Sequence, residues 1–151
     1  MPTIRDAQPD DLATMVDFNC RLAEESEHKT LDRSTVERGV RRALERPELC
    51  RYFIAEEAGR PVGQTMITYE WTDWRDGVCW WIQSVYVRPD ARRSGVFRAL
   101  FQHIEQLARS SPDCRGLRLY VEQHNAPALA TYKNLGMQPS GHVLYEIDWT
   151  L

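Results

Sequence analysis

The chain is poor in cysteine. Its four, Cys20, Cys50, Cys79 and Cys114, are scattered, with no Cys-x-x-Cys pair and none of the histidine spacings of a zinc site. That argues against a disulfide scaffold or a structural metal and leaves reduced, mostly buried thiols. No apolar run approaches the ~20 residues of a membrane span, and no basic-then-apolar leader stands at Met1, so a cytoplasmic location is expected. Charge of one sign is also lacking. The 22 acidic against 19 basic side chains give a net charge of −3, which disfavours a generally basic nucleic-acid binder. A Gly-x-x-x-x-Gly-Lys-Ser/Thr run is missing too, which argues against a phosphate-loop nucleotidase. Repeats, linkers and low-complexity stretches are lacking as well. With 151 residues and 42% hydrophobic content, a single domain over residues 1–151 can build one substantial core.

What is present alternates between strand and helix patterns. Thr3–Arg5 reads as a short strand, and Pro9 to about Glu25 as a helix with an acidic first turn and an apolar face of Leu12, Met15, Val16, Leu22 and Ala23. A second helix is expected from a capping box of Ser34 and Glu37, with Pro47 as its stop. Strands follow at 51–57 and 62–71, and Asp76-Gly77 turns the chain into a strand over 78–87. After a further helix and a strand at 117–121, a helix begins near Asn125. The alternating run His142-Val143-Leu144-Tyr145-Glu146-Ile147-Asp148-Trp149 reads as an edge strand.

The most informative stretch is Val85-Tyr86-Val87-Arg88-Pro89-Asp90-Ala91-Arg92-Arg93-Ser94-Gly95-Val96-Phe97-Arg98: a buried strand, an arginine-rich turn with one glycine, then an amphipathic helix. The first N–H groups of a helix have no partner within it, and the macrodipole adds positive charge, so a phosphate or pyrophosphate is favoured there. Downstream, Asn125-Ala126-Pro127-Ala128-Leu129-Ala130-Thr131-Tyr132-Lys133-Asn134-Leu135-Gly136-Met137 has a capping asparagine, a first-turn proline and a glycine that ends the helix. Asn125 and Tyr132 are almost two turns apart and project from similar faces.

These two segments resemble motifs of the GNAT superfamily of N-acetyltransferases. The first, Arg92-Arg93-Ser94-Gly95-Val96-Phe97, is similar to its coenzyme A pyrophosphate loop, Gln/Arg-x-x-Gly-x-Gly/Ala, with Phe97 at the position of the second small residue. Such a ring is tolerated if it joins the helix's apolar stripe of Val96, Phe97, Leu100, Ile104, Leu107 and Ala108. The second is similar to Asn-x-x-Ala-x-x-x-Tyr-x-x-x-Gly-Phe, with Met137 for phenylalanine. The resemblance implies an α/β (α+β) GNAT fold in the order β-α-α-β-β-β-α-β-α-β, a central mixed, mostly antiparallel sheet with one splayed strand pair, flanked by helices. It implies acetyl-CoA as co-substrate and no metal.

By the same resemblance, Val85 and Val87 present backbone to the pantetheine arm as an added strand would. The N–H groups of Arg93, Ser94, Gly95, Val96, Phe97 and Arg98 take the pyrophosphate, joined by the Arg92 side chain, with Asn125 and Tyr132 also at the cofactor. The implied reaction transfers an acetyl group to a primary amine by direct attack in a ternary complex. Tyr132 is the implied acid: a phenol with a pKa of about 10 stays protonated at neutral pH and can donate to the departing thiolate.

The strand Trp80-Trp81-Ile82-Gln83-Ser84-Val85 lacks the carboxylate base that many family members carry. Gln83 can orient a water or the amine, and Glu70 is one of several candidate bases. Carboxylates near the expected acceptor cleft, including Glu25 and Asp73, suit a small cationic acceptor, with His28, Trp71 and Trp81 as further substrate candidates. Two other classes stay open: an acyl-CoA sensor without turnover, and an arginine-dependent interaction domain. Nucleic-acid and membrane partners are not expected. The homodimers frequent in the family are compatible with a terminal strand that could pair or exchange.

Overall fold

The computed structural model of the protein describes residues 1–150. It divides into two compact units, one over Met1–Leu119 and the other from Tyr120 onward. The first holds strands β1 (Thr3–Asp6), β2 (Cys50–Glu57), β3 (Arg60–Thr72), β4 (Gly77–Val87) and β5 (Cys114–Leu119), and helices α1 (Leu12–Glu27), α2 (Arg33–Glu45) and α3 (Val96–Ser110). The strands form one sheet in the order β1-β2-β3-β4-β5, antiparallel except for the parallel pair β4–β5. That pair is parallel because α3 carries the chain back across the sheet.

The two faces of the sheet follow from residue parity. On one, Tyr52 and Ile54 of β2 pack with Met15 and Val16 of α1 and Val40 of α2. On the other, the Phe53 ring meets His103 of α3 edge-on at 5.2 Å. Helix α3 buries Val96, Leu100, Phe101, Ile104 and Ala108. Phe101 thus takes the core position that the sequence pattern gave to Phe97, whose half-buried ring lies 6.3 Å from Phe101 at the rim. Ahead of α1, Asp11 is buried and takes both terminal nitrogens of Arg5, at 2.7 and 2.9 Å.

Two expectations need correcting. The cap of α2 is Asp32, whose carboxylate accepts from the Thr35 N–H at 3.1 Å and from the Ser34 hydroxyl at 2.9 Å; Glu37 pairs forward with Arg41 instead of closing a box. An ionised acceptor two residues earlier outcompetes the serine hydroxyl. The run 142–149 is not a strand. Alternation satisfies side chains but not backbone groups, and among its described residues the second unit contains one helix and no strand with which to form a ladder. Local side-chain bonds serve instead, from the His142 N–H to Ser140 Oγ and from the Thr150 N–H to Asp148 Oδ1. Val143, Tyr145, Ile147 and Trp149 stand 81, 91, 75 and 88% exposed.

Candidate active site

Two features of the first unit lie at one end of β4. One is a break in the sheet. Strand β5 pairs with β4 from Val78↔Cys114 to Ile82↔Leu119, and there the ladder stops, while β4 runs on to Val87. Five residues of β4, Gln83 to Val87, extend about 17 Å beyond β5. The Arg88 N–H donates to the Val62 carbonyl of β3, so by strand alternation the backbone groups of Val87 turn to the open side. At the same place β4 bulges. Gln64 pairs with Tyr86 and Met66 with Gln83, so Thr65 alone faces Ser84 and Val85, and Ser84 takes φ +52°.

The other feature is the connection to α3. A single 3₁₀ turn at Pro89–Ala91 leads to Arg93 at φ +65° and Gly95 at φ +87°. The first intrahelical bond of α3 runs from the Ala99 N–H to the Gly95 carbonyl at 3.0 Å, and no side chain caps the helix. The N–H groups of Val96, Phe97 and Arg98 therefore point out of the helix end without an acceptor in it, beside a loop whose left-handed residues curl the backbone into a concavity. The Ser94 hydroxyl donates back to the Ala91 carbonyl at 2.6 Å, which tightens that loop. Among the described residues, no carboxylate caps this helix end.

In the second unit, helix α4 (Ala126–Asn134) is capped as its sequence predicts, with Asn125 Oδ1 accepting from the Ala128 N–H at 3.2 Å. That leaves the Asn125 amide nitrogen to donate elsewhere. Burial pushes the Tyr132 phenol above its ordinary value, which keeps it protonated well above neutral pH.

The chain matches the acetyltransferase (GNAT) family over residues 13–137, a span that includes both motif segments. It belongs to the GNAT acetyltransferase family. A possible acetyltransferase from Clostridium difficile 630 shares 40% identity, with 98% of this chain and 97% of that one covered and a TM-score of 0.92. A predicted acetyltransferase from Clostridium acetobutylicum, solved with acetyl-CoA, is 21% identical over 99% and 97% of the two chains, with a TM-score of 0.77. AAC(6')-Iy in complex with a bisubstrate analogue of coenzyme A shows the same fold at 16% identity, 98% coverage of each chain and a TM-score of 0.76. No curated protein sequence matches the chain.

In this GNAT acetyltransferase the acceptor-side candidates separate into two groups. Glu25, near the C-terminal end of α1, pairs with Arg92 at 3.0 Å. The Arg92 Nε donates to the Val87 carbonyl at 2.9 Å, and the guanidinium lies 5.6 Å from the Tyr86 ring centroid. Burial opposes ionisation of Glu25, yet the Tyr86 hydroxyl and Arg92 outweigh it and hold its carboxyl below the usual range. The Tyr86 hydroxyl is buried and approaches Glu25 without closing a hydrogen bond; burial, then Glu25, raises its pKa. Arg92 is thus tied to the strand edge and α1. His28 ends α1 in the left-handed conformation at φ +55° and is exposed.

The second group lies at the β3–β4 hairpin. Trp71 pairs with Val78, six residues from Ser84, which is about 20 Å along the strand. Trp71 is 62% exposed, and Asp73 is exposed in the turn. Glu70 accepts from Arg118 at 2.8 Å, and Arg118 lies over the Trp81 ring at 5.9 Å, so this candidate base is already engaged. Gln83 points its amide nitrogen at Thr68 Oγ1, 2.6 Å away, which frees its oxygen as an acceptor. Among the described residues, no group of three or more His, Cys, Asp or Glu side chains is placed to hold a metal ion, and no helix is long and apolar enough to cross a membrane. Sequence reasoning missed Gln64 and Thr65, two polar side chains wholly buried beside the bulge. A polar pair inside an otherwise apolar strand, Val62–Ile67, is the signal that marks them.

Proposed function

We propose that this protein transfers the acetyl group of acetyl-CoA to the primary amine of a small cationic acceptor, by direct attack in a ternary complex, with residues 1–151 acting as one domain. The observation that carries the reading is the uncapped N-terminus of α3 behind a left-handed loop, next to a strand edge that runs on from Gln83 to Val87 beyond the end of its partner β5. The helix end suits a pyrophosphate, whose charge the macrodipole and the arginine-rich loop favour. The open edge of β4 suits the two amides of a pantetheine arm, which pair with it as an added strand pairs.

Each step asks something of this chain's own groups. A backbone N–H between Val85 and Val87 donates to the tetrahedral oxyanion. Tyr132 returns a proton to the departing thiolate, a role that its burial-raised pKa suits by keeping the phenol protonated. Gln83 holds the amine or a water through its free oxygen. A carboxylate base in β4 is missing and both Glu70 and Glu25 are held by arginines, so the ammonium proton of the acceptor leaves through water. The exposed carboxylates of Glu24 and Glu27, at the same end of α1, support a cationic acceptor.

Calorimetric titration with acetyl-CoA, against dephosphorylated pantetheine as control, tests the site. Saturable 1:1 binding that is lost without the pyrophosphate supports it, and absence of binding overturns it. An amine panel with release of free thiol as readout then tests the acceptor. Binding without thiol release from any amine would leave an acyl-CoA sensor, and equal rates with cationic and neutral amines would remove the charge argument.

A further inference from the structure

Ser84 is the only residue of β4 in the left-handed region, at φ +52°, where a side chain other than glycine is strained. The bulge it creates also frees carbonyls from the regular ladder. Two of these are held by side chains of β3, one from each face of the sheet. Gln64 Nε2 donates to the Ser84 carbonyl at 3.2 Å from the α1 face, and Thr65 Oγ1 donates to the Gln83 carbonyl at 3.2 Å from the α3 face. Both side chains are fully buried. The Gln64 amide cannot flip, because the Ser84 carbonyl only accepts; its oxygen is left buried with no partner. An apolar residue at position 64 would avoid the orphan oxygen but take the donor from the Ser84 carbonyl, as one at position 65 would from the Gln83 carbonyl, so the polar pair is best explained by what it grips.

We propose that Gln64 and Thr65 are positioning residues that pin the strained bulge and so hold the Val85–Val87 edge in the geometry that receives the pantetheine arm. The inference rests on the acetyl-CoA reading above. It differs in what it requires: the clamps touch neither the ligand nor the reacting atoms, and they act through the β4 backbone.

The test is calorimetric titration of acetyl-CoA into the parent chain and into Thr65→Val and Gln64→Leu, with the melting temperature measured in parallel. Each clamp variant is expected to weaken acetyl-CoA about fivefold, the value of one hydrogen bond. Thr65→Ser, which keeps the hydroxyl, retains parent affinity. Val40→Ala, a core change in α2, lowers the melting temperature and leaves affinity unchanged. Ser84→Gly removes the strain that the clamps resist, so in that background Thr65→Val costs less than twofold. Thr65→Ala replaces Thr65→Val if the latter does not fold. Parent-like affinity in both clamp variants overturns the proposal while leaving the acetyl-CoA reading intact, and so does an undiminished loss in the Ser84→Gly background. A parent chain that does not bind overturns both.

Discussion

Gly63 lies where β3 passes under the first turn of α3, and replacing it by alanine tests how tightly the phosphate-binding helix is seated. A Cβ there would stand 2.9 Å from the Tyr86 carbonyl oxygen and 3.0 Å from Val96 Cγ1, with Val87 Cγ2 at 3.6 Å. The two short contacts come from different elements, β4 and α3, so moving away from one drives the methyl toward the other. Overpacking of this kind costs about 1–3 kcal/mol, offset by the ~0.4–1 kcal/mol that Gly→Ala gains by restricting the unfolded chain. The net loss of about 1–2 kcal/mol corresponds to a fall in melting temperature of roughly 2–8 °C for a chain of this size. Gly39→Ala in α2 is the control. Its Cβ meets nothing within 4 Å, so the same chemical change should stabilise by roughly 0.5–1 kcal/mol through helix propensity. Differential scanning calorimetry on both variants checks the pair. A Gly63→Ala protein that melts at or above the parent temperature would refute the claim that α3 is seated by backbone approach at this glycine.

Gly95→Ala meets no atom within 4 Å, so only its φ of +87° resists the change; about 1 kcal/mol of left-handed strain should appear as roughly fivefold weaker acetyl-CoA binding, read by calorimetry. Tyr132→Phe keeps the ring and removes the proton: acetyl-CoA affinity should hold while kcat falls by about 100-fold, and an unchanged kcat would take Tyr132 out of the mechanism. The Asp11 carboxyl is held below its ordinary 3.8, first by the Arg5 hydrogen bonds and against the opposing effect of burial. A depressed folded-state pKa contributes stability above the unfolded value, and that stability is lost as pH falls through the folded value. Urea midpoints measured from pH 5 down to pH 2 should therefore fall more steeply for the parent than for Asp11→Asn, and parallel curves would refute the assignment.

The parts of the fold legible in the sequence are those set by local chemistry. Asp76-Gly77 turns the hairpin, Pro47 lies two residues beyond α2, Asn125 caps α4, and Gly95 adopts the left-handed conformation ahead of α3. What escaped depends on partners distant in sequence. Strand β5 occupies Cys114–Leu119, not 117–121, because parallel pairing with β4 sets its register from Val78 onward. The bulge at Ser84 carries no glycine to announce it, and the side chains that bond its carbonyls, Gln64 and Thr65, lie 18 to 20 positions earlier. The role assigned to Arg92 came from the loop motif and that of Glu25 from its place at the end of the first helix, and their ion pair was invisible without the fold that brings them together. The alternation over 142–149 shows that a pattern of side chains promises a strand only where a backbone ladder is at hand.

The early end of β5 has a consequence for handling the protein. A stretch of β4 with unpaired backbone in the middle of a sheet is a template on which any extended chain can add, including an unfolded copy of the same sequence. Two guards already stand on it: the Ser84 bulge breaks its regular repeat, and the Arg92 guanidinium blocks the Val87 carbonyl. A ligand lying along that edge would complete the protection, so the apoprotein should aggregate more readily than the ligand-bound form. Purification and storage with coenzyme A should then extend its working life as well as occupy its site.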